Sequence, residues 1–300
     1  MRRVPHPIPY QGSKRRLAAQ ILALMPRGAG RLVEPFAGSA AITLAAAARN
    51  AFQRYLIADA LAPLADIWSL VLRDPERLSA DYERLWQSQL DAPRQAYDRI
   101  RCEFNATGDP VRLLYLLARC VKGSVRFNAE GEFNQSPDNR RLGARPQTMR
   151  REIMGAHALL SGRAEARAAD FRATLAEVTA EDVVYLDPPY QGISGGRDRR
   201  YFQGVALRDL VLELDRLNAR GVPFFLSYDG SCGERTYGAE LPQELGMVKI
   251  PMRAGRSTQS TLSGRAEVTV ESLYVSPAAG AARARGEAAV RPARQMSLEA

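Results

Sequence analysis

Cysteine is scarce in this 300-residue chain: Cys102, Cys120 and Cys232 stand far apart and are odd in number. That spacing excludes a disulfide framework, matches no paired metal-ligand pattern, and points to a reducing compartment, the cytoplasm. Histidine is scarcer still, with only His6 and His157, both isolated, so no metal is expected. Long apolar runs are missing too. The most apolar stretch, Val111 to Val121, is interrupted by Arg112 and Arg119, and the N-terminal MRRVPHPIPYQGSKRR has positive charge with no apolar block behind it. Neither a membrane span nor an export signal is expected. Lysine occurs three times, at Lys14, Lys122 and Lys249, so almost all of the positive charge is arginine.

What is present is a chain with 46% hydrophobic residues, enough for a sizeable core in one large domain or two modest ones. Lys and Arg outnumber Asp and Glu by 42 to 33, a net charge of +9, which favours a polyanionic partner, nucleic acid first. An Arg- and Ala-heavy composition can equally reflect genome base bias. Apolar, β-rich runs at Arg31 to Phe36 and Arg54 to Ala58, each followed by a helical pattern, read as β-α-β units of a parallel sheet. Between Ala62 and about Arg167 helical periodicity takes over, with Asp109 as a cap and Pro110 in the first turn of one helix. Gly123 to Pro146, rich in Gly, Asn, Pro and Arg, reads as an exposed loop or hairpin between helices. The strand pattern resumes with DVVYLDPPY (182–190), a helix near Val205 to Arg220, the strand VPFFLSYDG, and final strands around MVKIPM and EVTVESLYVS. The expected organisation is therefore α/β: a discontinuous catalytic domain (1–61 and 168–276), a helical insert (62–167) and a disordered basic tail (277–300).

Two motifs carry chemistry. In LVEPFAGSAAITLAAA a strand ends in the small-residue turn Ala37, Gly38, Ser39, Ala40, where a ligand can approach the backbone. The third glycine of a dinucleotide fingerprint is missing and there is no phosphate loop, so a smaller nucleoside fits better than a pyrophosphate. About 20 residues on, the next strand ends in Asp59, placed to accept ribose hydroxyls. A tight turn followed by an N-capping Asp would look the same. The sharper signal is Asp187, Pro188, Pro189, Tyr190 at the carboxyl end of the strongest strand. Prolines donate no hydrogen bond, so the Asp187 and Pro188 carbonyls are free to point at a guest, the Asp187 carboxylate adds a third acceptor, and Tyr190 offers a face for stacking a base. An amine donor is the natural guest.

With these residues the chain resembles the Dam-type, N6-adenine-specific DNA methyltransferases over most of residues 8 to 275. Tyr10, Gly12, Ser13 and Lys14 are similar to the family's N-terminal motif; Glu34, Pro35, Phe36, Ala37, Gly38 and Ser39 to its cofactor loop; Asp170 and Phe171 to the pair that holds the cofactor's adenine; and Asp187 to Tyr190 to its catalytic motif. The loop reads AGSAA where many relatives have a second glycine. RFNAEGEFNQS, with Arg126, Asn128 and Asn134, resembles the segment that precedes a DNA-reading hairpin, and Arg256, Ser257 and Arg265 fall in the closing motif. The resemblance implies a Rossmann-like class I methyltransferase sheet with an inserted, mainly helical target-recognition domain, S-adenosyl-L-methionine as cofactor, and double-stranded DNA as partner, the protein acting as a monomer or weak dimer. The segment 134–147 matches no relative closely enough to transfer a target sequence.

The expected chemistry is methyl transfer to the exocyclic N6 amine of an adenine flipped out of the duplex. Asp187 and the Pro188 carbonyl accept the amine hydrogens, so that no covalent enzyme intermediate, reactive Cys or His base is required. Basic residues accompany this site: Arg140, Arg141, Arg145, Arg150 and Arg151 lie within 139–151 with no acid among them, and Arg197, Arg199 and Arg200 follow the catalytic motif in a Gly-rich loop. Methylation of cytosine N4 or of RNA adenine uses the same acceptor geometry. A non-catalytic DNA-binding module is the alternative of a different class, and the joint presence of Lys14, Asp59 and Asp187 weighs against it. A dehydrogenase lacks its glycine and any acid for hydride transfer.

Overall fold

The computed structural model describes residues 3–26, 30–189, 205–232, 235–237, 240–256 and 268–284. Five parallel strands form the centre of one sheet: β1 (Arg31–Glu34), β2 (Arg54–Asp59), β3 (Ala164–Ala168), β4 (Asp182–Leu186) and β5 (Phe224–Cys232), in the order β3-β2-β1-β4-β5. A short β6 (Arg235–Tyr237) pairs with β5 off this path. The sheet continues with β8 (Val268–Val275) antiparallel to β5 and β7 (Val248–Arg256) antiparallel to β8. β1, β2 and β4 read as unbroken apolar runs because both of their faces are covered. Successive side chains go to opposite faces. Leu32, Ile57, Val183 and Tyr185 join one core, and Val33, Leu56, Val184 and Leu186 the other.

On the first face lie α1 (Ala18–Leu24), α2 (Ala41–Ala47) and α3 (Ala62–Arg73); on the second lie α8 (Phe171–Ala176) and α9 (Leu207–Ala219). The remaining helices, α4 (Pro75–Gln87), α5 (Pro93–Thr107), α6 (Pro110–Arg119) and α7 (Pro146–Leu160), extend the first face. All four begin with proline in the first turn, and α6 starts as the sequence predicts, with the Asp109 carboxylate accepting the Arg112 N–H at 2.8 Å. Tyr82, Tyr97, Ile100, Phe104 and Leu113 to Leu117 are continuous with the sheet's own core, so these helices are not a separately cored unit.

Two expected boundaries are corrected. The helical insert does not run from 62 to 167: α3 packs on β2 and β3, and β3 itself is the edge strand of the sheet, so the chain leaves the sheet only over α4 to α7. The tail does not begin at 277 either. Residues 277–284 are helical, with Ser276 as cap: its Oγ accepts the Ala279 N–H at 3.2 Å, and Ala279 is fully buried. The Ala-rich composition hid a helix start that Ser276 and Pro277 encode. Residues 285–300 lie outside the described residues. Among the described residues no helix is long and apolar enough to cross a membrane.

Candidate active site

The strand order reverses between β1 and β4: β2 follows β1 on one side, and β4 lies on the other. Ligands bind in the crevice at the carboxyl ends of strands at such a point. β1 ends in Glu34, β4 in Leu186 followed by Asp187, and β2 in Asp59, so the two sequence motifs open into the same crevice.

The loop after β1 is held in a shape that most side chains resist. Gly38 takes φ +49° and Ala40 φ +46°, both left-handed. Ala40, the cap of α2, therefore carries a Cβ in a conformation that glycine adopts freely. Four contacts fix the loop. The Ala37 N–H donates to the Ala58 carbonyl at 2.9 Å, the Gly38 N–H to Asp59 Oδ2 at 2.9 Å, Trp68 Nε1–H to the Gly38 carbonyl at 2.9 Å, and Ser39 Oγ–H to Ser13 Oγ at 2.7 Å. The Tyr10 ring lies over Gly38, where an added Cβ would meet it at 3.2 Å. Thus Tyr10 and Ser13, far away in sequence, are walls of the loop. The sequence did not single out Trp68.

Asp59 accepts the Gly38 and Leu61 N–H groups, at 2.9 and 3.0 Å, one on each oxygen, which leaves each oxygen a lone pair for a further donor. Burial pushes its carboxyl above the usual range. Beside it, the Ala169 N–H donates to the Asp59 carbonyl, and Asp170 caps α8. Burial alone would raise the Asp170 carboxyl, but hydrogen bonds from the Arg172 backbone and guanidinium hold it below the usual range. Phe171 and the half-buried Phe36 face each other at 5.1 Å and 31°, an apolar wall next to these two acids. Pro35 is buried under the loop. Glu34, expected among the cofactor contacts, is 3% exposed, and its Oε2 accepts from Thr43 N–H (3.0 Å) and Oγ1–H (2.6 Å). It fastens the first turn of α2 to β1 from beneath, and burial, with the nearby Asp187 charge adding, pushes it up to about 7.

Asp187 faces Lys14. The ammonium, 7% exposed, is 2.8 Å from Asp187 Oδ1 and 3.5 Å from Glu271 Oε2 on β8, and it donates to the Gly12 carbonyl at 3.3 Å. Burial raises the Asp187 carboxyl to about 6; Lys14 opposes that rise and Glu271 adds to it. Glu271 is a further member that sequence reading missed. Pro188 is buried and Pro189 partly so. Tyr190, Arg197, Ser257 and Arg265 lie outside the described residues, and Arg256 is described only as the last residue of β7.

The segment between α6 and α7 is a pinned hairpin, not a free loop. Phe127 and Phe133 bridge its arms and stack edge-on, and Phe133 does the same with Phe104 of α5. The Asn105 amide exchanges hydrogen bonds with the Phe133 backbone, Tyr97 Oη–H donates to the Gln135 carbonyl, and Tyr82 Oη–H donates to the Ala144 carbonyl. The Asn128 side chain closes the hairpin turn on Glu132. Arg126, Asn134, Arg140, Arg141 and Arg145 are exposed. Arg150 instead pairs with Glu76 and Arg151 with Glu152. Among the described residues no acidic side chain pairs with Arg140, Arg141 or Arg145.

A seven-strand path with one strand inserted antiparallel next to β5, and a small-residue turn after β1 facing an acid at the end of β2, defines a class I methyltransferase fold. The model of the D12 class N6 adenine-specific DNA methyltransferases matches residues 10–250, and the chain belongs to that family. Similar relatives include the retron Ec67 DNA adenine methylase of Escherichia coli, 31% identical over 73% of this chain and 75% of that protein. The DNA adenine methylase of Serratia marcescens is 30% identical over 62% and 66% of the two chains, and that of Vibrio cholerae O395 is 28% identical over 77% and 84%. The protein is an adenine-specific DNA methyltransferase.

Proposed function

We propose that S-adenosyl-L-methionine is the methyl donor and that it lies across the crevice between Gly38, Asp59 and the Phe36–Phe171 pair, with a flipped adenine presented to Asp187. The lone pairs left on the Asp59 carboxylate and the apolar Phe36 face fit an adenosyl group. When bound, that group supplies an electrophilic methyl on a sulfonium. The chain's own part is positioning. Asp187 Oδ and the Pro188 carbonyl accept the two N6 hydrogens, which draws the amine towards tetrahedral geometry and turns its lone pair to the methyl. The methylated nitrogen sheds one of its two protons, and Asp187, ionised above about pH 6, is placed to accept it.

The observation that carries this reading is the ion pair of Lys14 with Asp187 at the tip of β4, since it holds the carboxylate at the mouth of the crevice. Duplex DNA is then read by the exposed Arg126, Asn134 and Arg140 on the pinned hairpin, which makes the α4 to α7 region the target-recognition element. Among the described residues large exposed hydrophobic residues are scattered (Leu90, Val121, Leu142, Leu212, Val248), which supports a monomer or weak dimer. Purified protein with methyl-labelled S-adenosylmethionine and mixed-sequence duplex should yield N6-methyladenine, and Asp187→Ala should abolish it. Transfer by Asp187→Ala at the parent rate would overturn the assignment.

A further inference from the structure

A cavity of about 460 Å³ lies outside the crevice, between the N-terminal segment, the end of α6 and the chain just before α7. Its wall includes His6, Arg15, Cys120, Asp138, Arg141 and Gly143, and it reaches Tyr10 and Ser13 at the edge of the active site. The three segments are in close contact. A Cβ on Gly123 would meet the Pro9 carbonyl oxygen at 2.7 Å and one on Gly143 the Ala118 carbonyl oxygen at 2.9 Å, and both glycines have positive φ. Close backbone approach at Gly123 and Gly143 thus holds the three segments that frame the cavity.

Its polar groups are unmatched. His6 Nδ1 is buried with no hydrogen-bond partner, and an orphaned buried polar atom calls for an occupant. Among the described residues neither Arg15 nor Arg141 is paired with an acid. Asp138, also in the wall, uses one carboxylate oxygen for the Arg140 N–H, and Glu152 accepts the His6 backbone N–H while pairing with Arg3 and Arg151. Two guanidinium groups and a free ring nitrogen around one cavity suit a tetrahedral oxyanion. Cys120 is no competitor for that role, because burial pushes its thiol up to about 12.

We propose that this cavity takes a backbone phosphodiester of the DNA strand next to the target base, with Arg15 and Arg141 as its charged clamps and His6 as a hydrogen-bond partner. The proposal rests on the reading of the protein as a DNA methyltransferase and deepens it. Arg15 belongs to the catalytic segment and Arg141 to the segment after the hairpin. A phosphate held between them would therefore fix the DNA register relative to Asp187.

The test is the salt dependence of duplex binding, read by fluorescence anisotropy, for the parent and for Arg15→Gln/Arg141→Gln. Losing one phosphate contact should flatten the slope of log affinity against log salt by about 0.9 and weaken binding at every salt concentration. His6→Ala should weaken binding without changing the slope. Arg54→Gln, an exposed arginine at the amino end of β2, is the charge control. Cofactor affinity of the double variant, by calorimetry, should equal that of the parent. A slope equal to that of Arg54→Gln, or a loss confined to cofactor affinity, would overturn the proposal. Methyl transfer to DNA by the parent protein is measured in the same preparation, so failure of the enzyme reading is seen separately.

Discussion

Lys14 Nζ lies 2.8 Å from the Asp187 carboxylate while also facing Glu271 at 3.5 Å, so one buried ammonium bridles two acids, one just after β4 and one on β8. Asp187 must be ionised to accept the amine hydrogens, and its neighbours set the pH at which that happens. Burial raises its value to about 6, with Lys14 pulling down and the Glu271 charge pushing the other way.

The acid limb of kcat/KM for methyl transfer should therefore fall near pH 6, above the range of an ordinary Asp. Glu271→Gln removes a negative neighbour and should move the limb to lower pH. Lys14→Gln removes the cation and should move it to higher pH, with a loss of rate besides. A limb that stays in place in both variants would show that Asp187 is not the titrating group.

Gly38→Ala should be costly for two separable reasons. Left-handed backbone at a residue with a Cβ costs about 1–2 kcal/mol, and the new methyl meets the Tyr10 ring at 3.2 Å. In a Tyr10→Ala background only the first cost remains. A denaturation cycle should thus show the two changes to be non-additive, with Gly38→Ala milder in the double variant. Strict additivity would mean that the ring does not rest on the loop.

Glu34 predicts a pH-dependent stability. Its value is about 7 in the folded chain against 4.5 ordinarily, so the folded state holds the proton more tightly. Its stabilising contribution is complete at low pH and is lost as pH rises through 7. A glutamine keeps an oxygen for Thr43 and cannot ionise. Glu34→Gln should match the parent in thermal midpoint at pH 4 and exceed it at pH 8; the same difference at both pH values would contradict a buried, titrating Glu34.

Much of this was legible in the sequence, for reasons that differ by element. β1, β2 and β4 were readable because burial on both faces requires apolar runs, and Asp59 and Asp187 because each stands at the end of such a run. β3 was not. As an edge strand it carries Glu165 and Arg167, the latter paired outward to Glu177, so AEARA has no apolar signature. Glu271 and Lys14 meet only because β8 is inserted beside β5, a contact between residues far apart in the chain that no local pattern encodes. The hydrogen bond of Glu34 to Thr43 under the loop comes from packing that the motif does not encode.

Trp68 is the plainest case of such a non-local role. In the sequence it is one apolar position of α3; in the fold its Nε1–H donates to the Gly38 carbonyl at 2.9 Å, with the indole fully buried. Trp68→Phe keeps an aromatic ring and removes that donor, leaving a buried carbonyl short of a partner at a cost of about 1–3 kcal/mol. The freed carbonyl loosens the turn that carries Gly38 and, through Gly38 N–H, the Asp59 carboxylate. The expected result is a lower thermal midpoint, a raised KM for S-adenosylmethionine and little change in kcat at saturating cofactor, since the lost hydrogen bond is made to the turn that carries Gly38. A fall in kcat with KM unchanged would show that the turn acts on the methyl-transfer step itself and not on seating the donor.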